Sequence, residues 1–595
     1  MTRTARRMAR LTMMVMLVVM ASVSWSRTTP EAAAQSSPRT VFVHLFEWKW
    51  TDIARECETW LGPKGYAAVQ VSPPQEHVQG SQWWTRYQPV SYRIESRGGT
   101  RAEFANMVSR CQAVGVEIYA DAVINHMSGS DAGGTGVAGS SFQHYVYPGT
   151  YAAQDFHYCG RNGGNDIANY GDRWEVQNCE LVNLSDLDTG AEYVRGRIAT
   201  YLNDLRSLGV TGFRIDAAKH MPAGDLSNII GRLNNAPYIY HEVIDQGGEP
   251  ISASEYFGSG DVSEFKYSQE IGRVFKVGKL DWLSQFGTAW GFMPSANAIV
   301  FTDNHDNQRG HGGGGNVLNF HDGKLYELAN IFELAWPYGY PQVMSSFEFA
   351  NTDQGPPASR VHASSTSTTA NCFNEWKCEH RWRGIANMVA FRNYTNSVFS
   401  TSNWWSNGNN QISWSRGNLG FVAINREGAS LSRTFQTGLP AGTYCDVIHG
   451  DWSNNQCTGP TISVDGSGNA AITVAANDAV ALYGGARLAA PAPTATPAAQ
   501  SSVTFNVNAS TVTGQNVYIV GNLAALGSWN TGQAVLMSSA TYPVWSATLN
   551  LPRSTAVEYK YIKKDGAGNV IWESGTNRTF TTPTSGAVTR NETWR

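Results

Sequence analysis

GFRIDAAKH, residues 212–220, closes an apolar run with an arginine and an aspartate two places apart. Alternate side chains of a β-strand share a face, so Arg214 and Asp216 point the same way. Just upstream, AEYVRGRIATYLNDLRSLG (191–209) sets Tyr193, Ile198, Tyr201, Leu202, Leu205 and Leu208 largely on one helical face, with Gly209 as a stop. A helix feeding a short strand that ends in charge is one unit of a repeat. Six further strand candidates are VFVHLF (41–46), AAVQVSP (67–73), VEIYADAVI (116–124), YIYHEVI (238–244), AIVFTD (298–303) and YPQVMSS (340–346), and a weaker one lies near VSEF (262–265). Eight strands alternating with helices predict an α/β fold, a parallel (β/α)₈ TIM barrel over residues 35–398. The Gly-rich, irregular stretch from about 125 to 187 reads as a small domain inserted after strand three.

Beyond the barrel the pattern shortens. QISWSR, GFVAINRE and AAITVAA predict an antiparallel β-sandwich over 399–485. The tract 486–502, rich in Pro, Ala, Thr and Ser, cannot bury a core and reads as an extended linker. VTFNVNA, NVYIVGN, VWSATLNL, EYKYIKK and VIWES then predict a second β-sandwich over 503–595.

The N-terminus reads as a secretory signal peptide, basic in MTRTARRMAR and apolar in LTMMVMLVVMA, with cleavage placed after Ala34. That run is too short to span a bilayer and nothing later is long enough, which predicts a secreted, extracellular protein with no membrane partner. Removing residues 1–34 takes away five Arg and one Glu and moves the formal charge from −4 to −8. Such acidity argues against nucleic acid. The 20 Trp and 25 Tyr, set among only 15% charged residues, suit flat apolar partners such as sugar rings. Eight Cys in an exported chain permit four disulfides, and sequence alone allows 105 connectivities. Order along the chain suggests Cys372–Cys378, Cys445–Cys457 and Cys159–Cys179, leaving Cys57–Cys111; no cysteine and histidine spacing suits zinc.

Barrel enzymes work at the C-terminal ends of their strands. Three such ends carry carboxylates here: Asp216 in FRID, Glu242 in IYHEV and Asp306 in TDNHDN. Any one could merely cap a turn; three at one mouth point to catalysis. A cation as close as Arg214 favours the ionised form of Asp216.

DAVINH (121–126), GFRIDAAKH (212–220), HEVID (241–245) and FTDNHDNQ (301–308), together with WWTRYQPVSY (83–92), FGSGDVSEFKY and GHGGGG, resemble the α-amylase family of retaining glycoside hydrolases, in particular the animal-type enzymes and their bacterial relatives. The resemblance covers about residues 40–485. It implies Asp216 as nucleophile, Glu242 as acid and then base, and Asp306 as the group holding the sugar hydroxyls at positions 2 and 3. It also implies that His126 and His305 donate hydrogen bonds to the sugar, that Lys219 and His220 line the leaving-group side, and that Trp83, Trp84, Tyr87 and Gln88 wall the groove. HGGGG (311–315) resembles the family's mobile loop. A structural Ca²⁺ is implied on Asn125, Asp186 (with Asp188 as a nearby alternative) and the carbonyls of Gln177 and His220, oxygen donors that suit a hard cation. Relatives that bind chloride use an Arg and an Asn, matched by Arg214 and Asn304, and a third basic residue. Gln342 stands at that third position, so chloride is not expected.

VYIVGNLAALGSWN, PVWSATLNLP, EYKYIKK and VIWESGTNRTF resemble starch-binding modules. Carry-over implies one glucan site on Trp529, Trp572, Lys560 and Asn577, and a second on Tyr518 and Trp545, with Tyr542 beside them. The implied partners are starch, amylose, amylopectin and malto-oligosaccharides, bound by a monomer. Two other readings use the same features: a glucanotransferase on the same carboxylates, and a non-catalytic starch-binding protein.

Overall fold

The computed structural model describes residues 40–313, 315–363, 370–489 and 499–595. The stretch read as a signal peptide, Gly314 of the glycine loop and most of the stretch read as a linker lie outside them. The chain divides into two units, 1–489 and 490–595.

In the first unit, β1 (Phe42–Leu45), β2 (Ala68–Val71), β3 (Glu117–Ala122), β4 (Gly212–Ile215), β5 (Tyr238–His241), β6 (Asp261–Ser263), β7 (Ala298–Val300) and β8 (Tyr340–Ser345) close into one parallel barrel. All eight strands read from the sequence are present, including the weak one, of only three residues. Alternation splits each strand. Val43, Val69, Ile118 and Ile215 pack with the surrounding helices, while Phe42, Ala68, Tyr119, Tyr240, Ile299 and Tyr340 meet in a separate cluster. Two residues further along the same strands come His44, Gln70, Asp121 and Gln342, all buried. The barrel is therefore plugged by rings at one level and by polar groups at the next, towards the strand ends.

Helix α1 (Trp50–Glu56) and helix α2 (Arg101–Gln112) are joined at their ends by Cys57–Cys111, and the other three disulfides pair as the order along the chain suggested. Thr100 and Glu103 form a capping box at the start of α2. Helix α3 (Glu192–Ser207) buries Val194, Ile198, Tyr201, Leu202 and Leu205, each large aliphatic residue contributing roughly 1.5–3 kcal/mol. Tyr193 does not join this face. It is 53% exposed, because Val194 holds the position four before Ile198, and its hydroxyl donates to the Thr150 carbonyl instead.

The sandwich after the barrel is built on a four-stranded sheet, Ser402–Ser406, Gln411–Arg416, Gly420–Asn425 and Asp478–Tyr483. Ile412, Trp414, Val422 and Ile424 face the barrel core, while Phe421 and Ala423 face the sandwich's own core.

In the second unit, strand Gln500–Asn508 lies between Val544–Pro552, antiparallel, and Ala587–Thr593, parallel. Gln500, Ser501 and Ser502 were read as linker from composition; their backbones pair with Pro552, Leu551 and Asn550 and open the strand. Among the described residues no helix is long and apolar enough to cross a membrane.

Candidate active site

Strand β4 ends one residue before Asp216, and its period-two geometry aims Arg214 and Asp216 into the barrel mouth. Arg214 Nη1 donates to Asp216 Oδ1 at 2.8 Å and to Asp121 Oδ1 at 2.7 Å. Its Nη2 is in ion-pair contact with Glu242 Oε1 at 2.7 Å, and Asp306 Oδ2 lies 3.9 Å away. One guanidinium thus gathers the three carboxylates chosen from the sequence and a fourth that was not. Asp121 was passed over as a strand residue, yet it stands opposite Arg214 in the β3–β4 register, which only the closed barrel reveals. Tyr87 donates to its other oxygen at 2.8 Å.

The electrostatic expectation for Asp216 needs correction. Burial pushes its carboxyl well up, Glu242 and Asp121 add to the rise, and Arg214 only opposes them. Burial likewise pushes Asp306 up to about 7, with Glu242 the next contributor. Four buried carboxylates around one guanidinium disfavour one another's ionisation, so they titrate as a coupled group rather than singly. The Ala217 N–H donates to Glu242 Oε2 at 2.8 Å. Ala217 reaches that position with φ at 48°, a left-handed backbone that costs a non-glycine residue free energy.

Trp83 is 5% exposed, with its Nε1 on the Thr352 carbonyl, whereas Trp84 is half-buried and donates to Asp353. His305 stacks on Tyr87, its Nε2 3.3 Å from Asp306. Gln88 accepts from the Gly129 N–H of the insertion. His126 is more committed than expected: Nε2 bonds the Tyr87 carbonyl at 3.0 Å and Nδ1 meets Asn125, so a bond to sugar requires an exchange of partners. Lys219 binds the Ile244 carbonyl and Glu249, another residue the sequence reading missed. His220 bonds the Val176 carbonyl.

Behind this mouth, Asn125 Oδ1 is buried and has no hydrogen-bond partner. Asp186 pairs with His126 in the antiparallel ladder of the insertion, and burial pushes its carboxyl up to about 6 despite His157 at 2.7 Å. Gln177 and His220 are drawn together where Arg173–Asn178 meets the turn after β4, through His220 to Val176 and Gln177 to the Met221 carbonyl. An orphaned amide oxygen beside a buried carboxylate and two backbone segments is a donor set for a hard divalent cation. Gln342 donates to Gln70 Oε1 at 3.0 Å, leaving a neutral amide pair at the position considered for chloride.

In the second unit Trp529 and Trp572 lie 6.5 Å apart, with Trp572 42% exposed. Lys560 anchors the adjoining turn through the Glu573 and Gly575 carbonyls, and Asn577 is exposed and bonded to Glu558. The second proposed site is corrected. Trp545 is 3% exposed, sits among Phe505, Ile519 and Tyr561, and donates to the Ala509 carbonyl, so its ring belongs to the core. Tyr518 has the Lys564 ammonium over one face, while Tyr542 stands exposed.

Carboxylates clustered at the mouth of a closed parallel barrel, walled by rings, define a glycoside hydrolase. Family models for the alpha amylase catalytic domain, the alpha amylase C-terminal all-beta domain and the starch binding domain match residues 65–249, 404–485 and 500–592. An alpha-amylase of Streptomyces violaceus is 51% identical over 97% of this chain and 98% of its own. Pancreatic alpha-amylase of Sus scrofa is 47% identical over 76% and 94%. The crystal structure of wild-type alpha-amylase I from Eisenia fetida matches with a TM-score of 0.70 at 44% identity, covering 75% of this chain and 98% of that one. The chain belongs to the alpha-amylase family, and it carries a starch-binding domain.

Proposed function

We propose that this enzyme is secreted and cuts internal α-1,4 bonds of starch with retention of anomeric configuration. Asp216 attacks the anomeric carbon while the Glu242 carboxyl, as general acid, delivers a proton to the departing glycosidic oxygen; the C–O bond breaks and a glycosyl ester forms on Asp216. Glu242, now a carboxylate, takes a proton from water, whose oxygen displaces Asp216 and restores both groups. Asp306 holds the hydroxyls at positions 2 and 3, and the rings around Trp84 support the chain. The observation that carries this reading is the single Arg214 guanidinium contacting both Asp216 and Glu242. A mutant of alpha-amylase I from Eisenia fetida, also 44% identical, is complexed with maltohexaose, in keeping with a malto-oligosaccharide groove here. NMR of the first products tests it: α-anomers are expected, and β-anomers would refute it.

Asn125, Asp186 and the carbonyls of Gln177 and His220 would hold a structural Ca²⁺, tying the insertion to the barrel. Chelation should lower the melting temperature, and Asn125→Ala should weaken the response to added Ca²⁺. Activity should be independent of chloride. Residues 1–34 would be removed on export, and the monomer would use its C-terminal module, tethered by the linker, to stay on granular starch.

A further inference from the structure

Arg309 closes the short 3₁₀ turn Asn307–Arg309 that follows Asp306. It is 3% exposed, and an arginine stays charged wherever it is buried. Its Nη1 donates to the His305 carbonyl at 3.0 Å, while Nε and Nη2 are buried with no hydrogen-bond partner among the described residues. The charge is held by ring faces instead: Phe349 at 4.3 Å, Phe347 at 4.8 Å, Phe46 at 5.0 Å and Trp83 at 5.8 Å. Two of these rings, Phe46 and Trp83, also contact the His305 imidazole. A buried, underbonded cation is costly to keep, and this one sits on the peptide between two residues of the catalytic mouth.

We infer that Arg309 is a positioning residue: its caged guanidinium fixes the His305–Asp306 peptide against the cleft wall and adds a second cation to the field at Asp306. The inference rests on Asp306 serving as the third carboxylate. The groups facing Asp306 are Arg214 at 3.9 Å, His305 at 3.3 Å, Glu242, Asp121, Tyr87 and the glycine loop, whose His311 N–H donates to the Asp306 carbonyl at 3.1 Å. Against the rise driven by burial and the acids, Arg214 and then Arg309 favour the ionised form. Arg214 is shared with three other carboxylates, so Arg309 is the cation whose loss Asp306 feels without losing the cluster's anchor.

The test is the pH profile of kcat and kcat/KM on soluble starch for the full chain, Arg309→Met, Arg309→Lys and Phe349→Leu, with melting curves alongside. Arg309→Met should lower kcat by about tenfold or more, with KM within about twofold, and move the acid limb upward by roughly half a pH unit, because Asp306 then ionises at higher pH. Arg309→Lys should return the acid limb to its original position while recovering only part of kcat, since an ammonium keeps the charge but not the planar fork. Phe349→Leu trims the half-buried side of the cage and should move the limb the same way by less, even if Arg309→Met folds poorly. Superimposable acid limbs in all four proteins, or a loss confined to KM, would overturn the inference. Asp306→Asn separates the two levels: if it is inert while the Arg309 variants show no displacement, only the positioning role fails; if it stays active, the reading of the site fails with it.

Discussion

The barrel mouth and the C-terminal module both meet glucan, and they are built on opposite principles. At the mouth, charge is buried: four carboxylates and one guanidinium, with Arg214 only 3% exposed and Asp216 7%. In the module the ring is exposed: Trp572 is 42% accessible, the Lys560 ammonium is bonded to backbone carbonyls and Glu558 accepts from the Asn577 amide. Chemistry needs carboxyl groups whose protonation is governed by their neighbours rather than by water, and burial supplies that. Affinity for a polymer needs only flat apolar faces, cheap to leave in solvent one at a time. Burial is therefore the variable that separates catalysis from binding here, and it can be tested at both ends.

The largest effect should come from neutralising one carboxyl. Asp216→Asn is expected to lower kcat on soluble starch by about 10⁴-fold or more, as loss of a nucleophile commonly does. Adsorption to granular starch should not change. Because burial and the neighbouring acids disfavour the Asp216 anion, the amide should also raise the melting temperature at pH 8. A variant that loses activity and stability together would show that Asp216 is held by its ion pair, not strained by its neighbours, and the contrast would collapse.

Within the module, Trp545 and Trp572 offer the same residue type on the two sides of the divide. Trp545→Ala empties a core position and should cost about 3–5 kcal/mol of that unit's stability. Trp572→Ala should leave its melting unchanged and weaken adsorption to granular starch by roughly tenfold, as loss of an exposed anchor does. Neither should alter turnover of a soluble substrate. Equal effects of both on adsorption, with no change in melting, would return Trp545 to the binding face.

Why the sequence separated these cases unevenly follows from periodicity. The barrel was legible because each strand is a short run buried on both faces and bounded by helices, and because Arg214 and Asp216 differ by the strand's own period. Asp121 was not legible as a partner, since cross-strand register is invisible in one dimension; only closure of the barrel sets it against Arg214. Trp545 was misassigned although the alternation was there to read: Trp545, Ala547, Leu549 and Leu551 recur every second residue and all contribute to the sandwich core. The His126 bonds and the Arg309 cage depend on loop packing, which no periodicity encodes.

The smallest effect tests a case between the extremes. His449 is about half-buried in the sandwich next to the barrel, its Nδ1 on Asp446 and its Nε2 on Asp478 at 2.8 Å; Asp478 in turn meets Lys324 of the barrel helix Lys324–Ala335. The hydrogen bonds to Asp446 and then Asp478 push the imidazole up to about 10. A raised pKa in the folded state means that this clamp is fully present below the unfolded value of about 6.5 and is lost as pH climbs towards 10. With the side chain 37% exposed, solvent screening leaves about 1 kcal/mol of stabilisation. His449→Gln should therefore lower the melting temperature by a few degrees at pH 6, with the two curves converging above pH 10. The cause of the raised pKa decides the sign. At the mouth burial lifts Asp216 and Asp306, so removing their charge relieves a penalty; at His449 partners lift the imidazole, so removing it forfeits a gain. A deficit that persists undiminished at pH 10.5 would mean that His449 acts through packing alone, and that its charge plays no part in joining sandwich to barrel.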